Sequence, residues 1–229
     1  MRVQTAQTRR TAALTPTGST PVRDLSRRIS HGDFQIVASR QKAWCGDRSR
    51  VALLRMRWVV FLRAVNVGGT NRCQPALIAK QLARFDIVNI GAVGTFVVGE
   101  NVSESALRVA FARKLPFKCE IMICPARDII KLAAKDPFSG QPSGPDIVRF
   151  VSVLAKRLRA PPPLPLSLPS DDNWLLKIIA IQDRFVLGLY RRQMKAISYL
   201  GKIEKRLGVA VTTRNWNTIE KVAKILHDC

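Results

Sequence analysis

Histidine and acidic side chains are scarce in this chain. Two His among 229 residues leave little material for imidazole metal clusters or general-base chemistry. His31 lies early in the chain and His227 at its end, so neither reads as a general base. Sixteen Asp and Glu stand against 38 Lys and Arg, a formal excess of +22. Aromatics make up only 7%, which supplies few stacking platforms for nucleic-acid bases. No run approaches the ~18 uncharged apolar residues of a membrane span, so no membrane partner is expected. Five Cys without framework spacing read as reduced thiols in a cytoplasmic protein. No metal site and no cofactor are expected. What is plentiful is hydrophobic residues, 47% of the chain, enough for a real core.

The basic excess is spread along the chain. Residues 1–55 carry +8 and the remainder +14, by count of Lys, Arg, Asp and Glu. Such a charge attracts phosphate-rich partners, so nucleic acid or a phosphorylated ligand is the expected partner class. Residues 1–55 show no sustained period and are rich in Arg, Ser and Thr. They read as a disordered extension: either a targeting or nucleic-acid-binding arm, or sequence upstream of a true start at Met56. The second is favoured, because Met56 immediately precedes the first strand pattern.

Beyond that point the chain alternates strands and helices. Trp58 to Leu62 reads as a buried strand. Pro75 opens a helix over 75–84, with Leu77, Ile78, Leu82 and Phe85 inward. Val93 to Val98 is a second strand. Ser103 caps a helix over 104–115 that buries Leu107, Ala110 and Phe111. Lys118 to Cys124 is a third strand, with Cys119 and Cys124 on opposite faces. Pro125 starts a helix over 126–134, and residues 136–145 form a linker. Ile147 to Leu154 is again a strand. The segment PPPLPLSLP within 160–170 cannot be helix and reads as an extended loop. Leu175 to Ile181 and Arg184 to Tyr190 form a hairpin about Gln182-Asp183. Helices follow over about 198–207 and 214–227, the last capped by Thr213, with Trp216, Ile219, Val222, Ala223 and Leu226 inward. The pattern predicts an α+β protein: an extension over 1–55, one α/β-sandwich subdomain over 56–135 and a second over 136–229.

Two segments carry a family resemblance. Arg63-Ala64-Val65-Asn66-Val67-Gly68-Gly69 resembles the LRGINVGG signature of the bacterial domain of unknown function 1697 family. Leu207-Gly208-Val209-Ala210-Val211-Thr212-Thr213-Arg214-Asn215-Trp216-Asn217-Thr218 is similar to its LGVxATTRNWNT signature. Order and separation agree, over about residues 56–227. The resemblance implies two ferredoxin-like subdomains and no assigned activity, so no catalytic residue carries over. Where relatives read YIQSGNVVF this chain has Ile90-Gly91-Ala92-Val93-Gly94-Thr95-Phe96-Val97, with Val93 and Thr95 replacing Ser and Asn. An SKL-like stretch reads Ser198-Tyr199-Leu200. The proline segment occupies the place of a helix in relatives.

Candidate ligand residues cluster at these signatures. Gly68 and Gly69 sit in a turn between strand and helix, where free amides favour an anion. Arg63, Asn66, Asn71 and Arg72 would add donors. The turn lacks the G-K-[ST] of a Walker motif, and Gly91 to Gly94 is no dinucleotide fingerprint. Thr213, Arg214 and Asn215 stand before the last helix. The spacing of Arg214, Asn217, Lys221 and Lys224 predicts a shared basic outer face. A binding module for an anionic ligand is the leading functional expectation. An enzyme with a site between the two halves, near Asn66, Arg63 and Arg214, and a protein-interaction module are the alternatives.

Overall fold

Two antiparallel sheets organise the protein, and a computed structural model describes residues 57–69 and 71–228. The expected extension and the Met56 start lie outside the described residues. Both sheets belong to one compact unit, Asp47–Cys229. The first sheet is built from β1 (Trp58–Leu62), β2 (Ile87–Asn89), β3 (Thr95–Val98) and β4 (Ile121–Pro125) in the order β2-β3-β1-β4. Helix α1 (Pro75–Gln81) and a 3-10 turn (Ala83–Phe85) join β1 to β2, and α2 (Glu104–Lys114) joins β3 to β4. Ser103 caps α2 as expected, its hydroxyl accepting from the Ala106 amide at 3.2 Å. Pro75 occupies the first turn of α1, where its missing N–H removes no helical bond.

Side chains alternate across β1, so its two faces serve two cores. Val60, Leu62, Phe96, Ile123, Leu107 and Phe111 pack with α1 and α2. Leu77 departs from the expected inward stripe and is exposed. Its position in the first turn of the short α1 lies outside the arc that Ile78 and Leu82 bury. Val59, Phe61, Val97, Met122 and Cys124 are buried on the opposite face. Helix α3 (Ala126–Ala133) packs against β1 and β4.

The second sheet has the order β6-β7-β8-β5-β9, from β5 (Ile147–Leu154), β6 (Leu166–Leu168), β7 (Leu176–Gln182), β8 (Phe185–Arg191) and β9 (Val211–Asn215). Helix α4 (Met194–Leu207) packs on one side, where Ile203 joins Phe150, Leu176, Val186 and Val211. Helix α5 (Trp216–His227) packs on β5 and β9 and against α3. Three expectations are corrected here. Val211–Asn215 is a strand, not the approach to a helix, because it pairs with β5 from Phe150↔Asn215 to Leu154↔Val211. Thr213 therefore caps nothing; its hydroxyl lies 2.6 Å from Ser152 Oγ across the sheet. The residues 136–145, expected as a plain linker, bury Phe138, whose ring meets that of Trp216 edge-on at 5.0 Å. The proline segment holds no helix, as expected, and it adds the edge strand β6.

Candidate functional site

The turn after β1 is held together by its own asparagines. Ala64, Asn66, Gly68, Gly69 and Asn71 all have positive φ, between 49° and 78°. Asn and Gly tolerate that region best. Asn66 Oδ1 accepts from the Cys73 amide at 3.0 Å, and its Nδ2 donates to Cys73 O and Ala92 O at 2.9 and 2.7 Å. Asn71 Nδ2 donates to Ala64 O at 3.2 Å. The polar side chains at Asn66 and Asn71 thus close the turn. The Gly68-Gly69 amides do not sit at a helix start: α1 begins at Pro75 and is seven residues long.

Arg214 joins the two signatures. It lies in β9 rather than in α5, so the expected shared face with Asn217, Lys221 and Lys224 does not form; those three are exposed on α5. Its side chain points the other way, across to the first sheet, and is 6% exposed. Nε donates to Thr95 Oγ1 at 2.7 Å. Nη1 donates to Thr212 Oγ1 and Thr213 O, at 2.8 and 2.9 Å. Nη2 donates to Leu62 O, Val93 O and Gly94 O, at 2.9, 2.9 and 3.2 Å. The guanidinium carbon stands 5.8 Å from the centroid of the Phe61 ring. Thr212 Oγ1 also donates to Leu62 O, at 3.2 Å. Arg184 makes a second tie, donating to Leu154 O and Ile123 O, both at 2.9 Å. Signatures about 150 residues apart are therefore one clamp between the sheets.

All Arg214 partners are carbonyls or hydroxyls. Among the described residues no carboxylate pairs with it. Burial pulls its pKa down to about 10, which still leaves it cationic at neutral pH. A buried charge without a counter-charge is unusual, since desolvation is offset only by dipoles.

A groove of about 570 Å³ lies beside this cation. Its walls are the turn at Arg63 to Val67, Val93, the outer side of α4 and residues 211–214. Val67 and Ile197, 57% and 55% exposed, and Leu200 and Val93 make it largely apolar. Gly201 lines it at mid-helix, and a Cβ there would meet nothing within 4 Å. Glycine in a helix interior costs about 1 kcal/mol against Ala, and at Gly201 no close packing demands it. Arg63 and Glu204 form a two-pronged pair at one wall, Nε to Oε2 at 3.1 Å and Nη2 to Oε1 at 2.9 Å. Glu204 Oε2 accepts the Val211 amide as well, at 3.2 Å. Arg63 is thereby neutralised, whereas Lys205 at the rim pairs with no carboxylate among the described residues.

Of the expected ligand residues, Arg63, Thr213 and Arg214 line this one groove. Asn66, Gly68, Gly69 and Asn71 shape the turn beside it without lining it. Asn215 lies apart, in a small recess with Ser143, Arg149, Arg192 and Asn217. Glu204, Gly201 and Lys205 were missed, because only packing of α4 against the first sheet brings them to the turn. A wider opening of about 690 Å³ between α1 and α2 has Arg84, Arg113 and Lys114 at its edges. Among the described residues no group of three or more His, Cys, Asp or Glu is placed to hold a metal ion. No described helix is long and apolar enough to cross a membrane. Cys73, Cys119 and Cys124 are free thiols; burial raises all three pKa values, that of Cys124 to about 11.

No protein-family model matches the chain. No curated protein matches it either. Among solved structures it is similar to the conserved bacterial protein SP0830 from Streptococcus pneumoniae. That likeness has a TM-score of 0.47 and 16% sequence identity, and covers 75% of this chain and 98% of the other.

Proposed function

We propose that the protein binds an anionic ligand with an apolar body in the groove between the Arg63 turn and α4. The observation that carries this is Arg214, a buried cation behind a largely apolar wall with no counter-charge among the described residues. Ligand sites are typically apolar cavities of about 300–1,000 Å³ with few polar groups. The volume and lining of this groove agree with that description. The apolar side chains take the body of the ligand. Arg214 and Lys205 favour a negative head, and Gly201 keeps the floor open. A unit charge about 6–10 Å from Arg214 gains about 2–3 kcal/mol at an effective dielectric of about 20. Among the described residues no aromatic side chain lines the groove, so a nucleic-acid strand finds nothing in them to stack on. Glu204 is the carboxylate of the wall and is held by Arg63 and the Val211 amide, so binding is better supported than chemistry.

We further infer a divergent member of the domain of unknown function 1697 family, on the two signatures and their meeting at Arg214. The ferredoxin-like description of the first half is supported by its β-α-β-β-α-β order and by β4-β1-β3-β2 across the sheet. The second half follows the same scheme, β9-β5-β8-β7, with the proline segment and β6 in place of the first helix.

Three ligands of one shape test the binding: decanoate, decanol and decylammonium. Decanoate is expected to bind at least about tenfold more tightly than decanol, a difference of about 1.4 kcal/mol, and decylammonium weakest. Gly201→Leu, which fills the floor, abolishes binding of all three. Equal affinity across the series, or wild-type binding by Gly201→Leu, refutes the reading.

A further inference from the structure

A second feature stands apart from the groove. Around Asn215 at the start of α5 is a recess of about 280 Å³ with mainly polar walls. Four separate segments form it: residues 143–144, the start of β5, Arg192 after β8, and the β9–α5 junction. Two of its side chains are arginines, Arg149 and Arg192. Among the described residues neither pairs with a carboxylate. Asp146, the nearest acid in sequence, lies beside Gly144 and is paired with Arg191 at 2.9 Å. Arg149 is positioned by Phe138, its guanidinium carbon 5.7 Å from the ring centroid. Asn215 is the N-cap residue of α5, yet its side chain makes no capping bond and lines the recess instead. An N-cap Asn ordinarily turns its oxygen back onto the helix amides, so the leading amides of α5 lack their usual acceptor. Asn217 lines the same recess.

We propose that this recess is a binding site for a phosphate-type dianion, gripped by Arg149 and Arg192 and by the amide side chains of Asn215 and Asn217. Guanidinium groups suit this ligand, because their planar fork meets two oxygens at once. The volume holds a phosphate group together with part of what carries it. The source of the phosphate is either a small phosphate ester or the phosphorylated end of a nucleic acid. The site shares no lining residue with the groove at Arg214, so either reading can fail without the other.

The test is calorimetric titration of the full chain at fixed ionic strength. Four probes are used: inorganic phosphate, pyrophosphate, and one oligonucleotide with a 5′-phosphate or a 5′-hydroxyl. Phosphate and pyrophosphate are expected to bind, and Arg192→Gln to weaken both at least about tenfold, the loss of one charge-assisted fork. Arg192 is exposed, so this variant keeps the fold. Arg157→Gln, at a surface ion pair with Asp183 beyond the opposite end of the β5–β8 pair, leaves binding unchanged. Preference for the 5′-phosphorylated oligonucleotide over both small probes identifies the source as a nucleic-acid end; no such preference identifies a small ester. No binding of phosphate and pyrophosphate, or equal binding of both by Arg192→Gln, overturns the proposal.

Discussion

Replacing Arg214 by Met separates the clamp from its charge. Met has nearly the reach of the arginine stem and none of its donors. Two of the abandoned acceptors keep another donor: Leu62 O retains Thr212 Oγ1, and Gly94 O retains the Leu62 amide at 2.8 Å. Val93 O, Thr213 O, Thr95 Oγ1 and Thr212 Oγ1 lose the arginine donor, and of these four bonds only the two to the hydroxyl oxygens are buried. An orphaned buried acceptor costs about 1–3 kcal/mol, so the two hydroxyls together cost about 2–6. Part of this is offset, since the variant no longer buries an uncompensated cation. A net loss of about 3 kcal/mol is expected. Thr95→Val, which leaves the Arg214 Nε–H without its acceptor, costs about 1–2 kcal/mol alone. In the double variant the orphaned Thr95 hydroxyl is gone, so the two losses overlap by about 1 kcal/mol. Urea unfolding of the full chain and the three variants, with a common slope, gives these values. A loss below about 1 kcal/mol for Arg214→Met, or strict additivity in the cycle, refutes the clamp.

Other perturbations probe different parts of the account. Gly201→Leu raises stability by about 0.5–1 kcal/mol through helix propensity, so its loss of ligand is not a folding defect; a lower melting temperature contradicts the open floor. Gly188→Ala destabilises by about 2–3 kcal/mol in denaturant, an overpacking cost, because its Cβ would lie 2.5 Å from both Lys177 O and the Phe150 ring. Cys124 ionises near pH 9 unfolded and about 11 folded, so above pH 9 the unfolded chain holds fewer protons than the folded one. Stability therefore falls as pH rises from 9 to 11, by up to about 2–3 kcal/mol from this thiol. Cys124→Ala makes that slope shallower in alkaline unfolding curves, and an unchanged slope excludes the thiol as its source.

The sequence revealed elements wherever apolar residues dominate a run. Trp58 to Leu62 is apolar at every position, and only Arg149 and Ser152 interrupt the apolar run from Ile147 to Leu154. The Ser103 cap is recognisable because capping is a local bond. Strand β9 was hidden because Thr212, Thr213 and Arg214 read as polar, and their burial depends on partners far away in the chain. Strand β2 is three residues long, too short for any period to show. The site divides along the same line. The turn at Asn66 to Asn71 was marked by its glycines and asparagines. The pairing of Arg63 with Glu204 spans 141 positions, and the recess at Asn215 draws Arg149 and Arg192 from separate strand ends. Those associations follow from how the sheets pack, which no short spacing encodes.

The central claim is that Arg214 sits behind the groove as an uncompensated charge that selects an anion. Nuclear magnetic resonance addresses it directly, because the Arg214 Nε–H is buried and hydrogen-bonded to Thr95 Oγ1. Titration with decanoate is predicted to shift the Arg214 Nε–H and the Gly201 amide together, with one saturation curve, while decylammonium moves neither. Decanoate that binds without moving Arg214, or decylammonium that shifts both resonances equally, contradicts the claim.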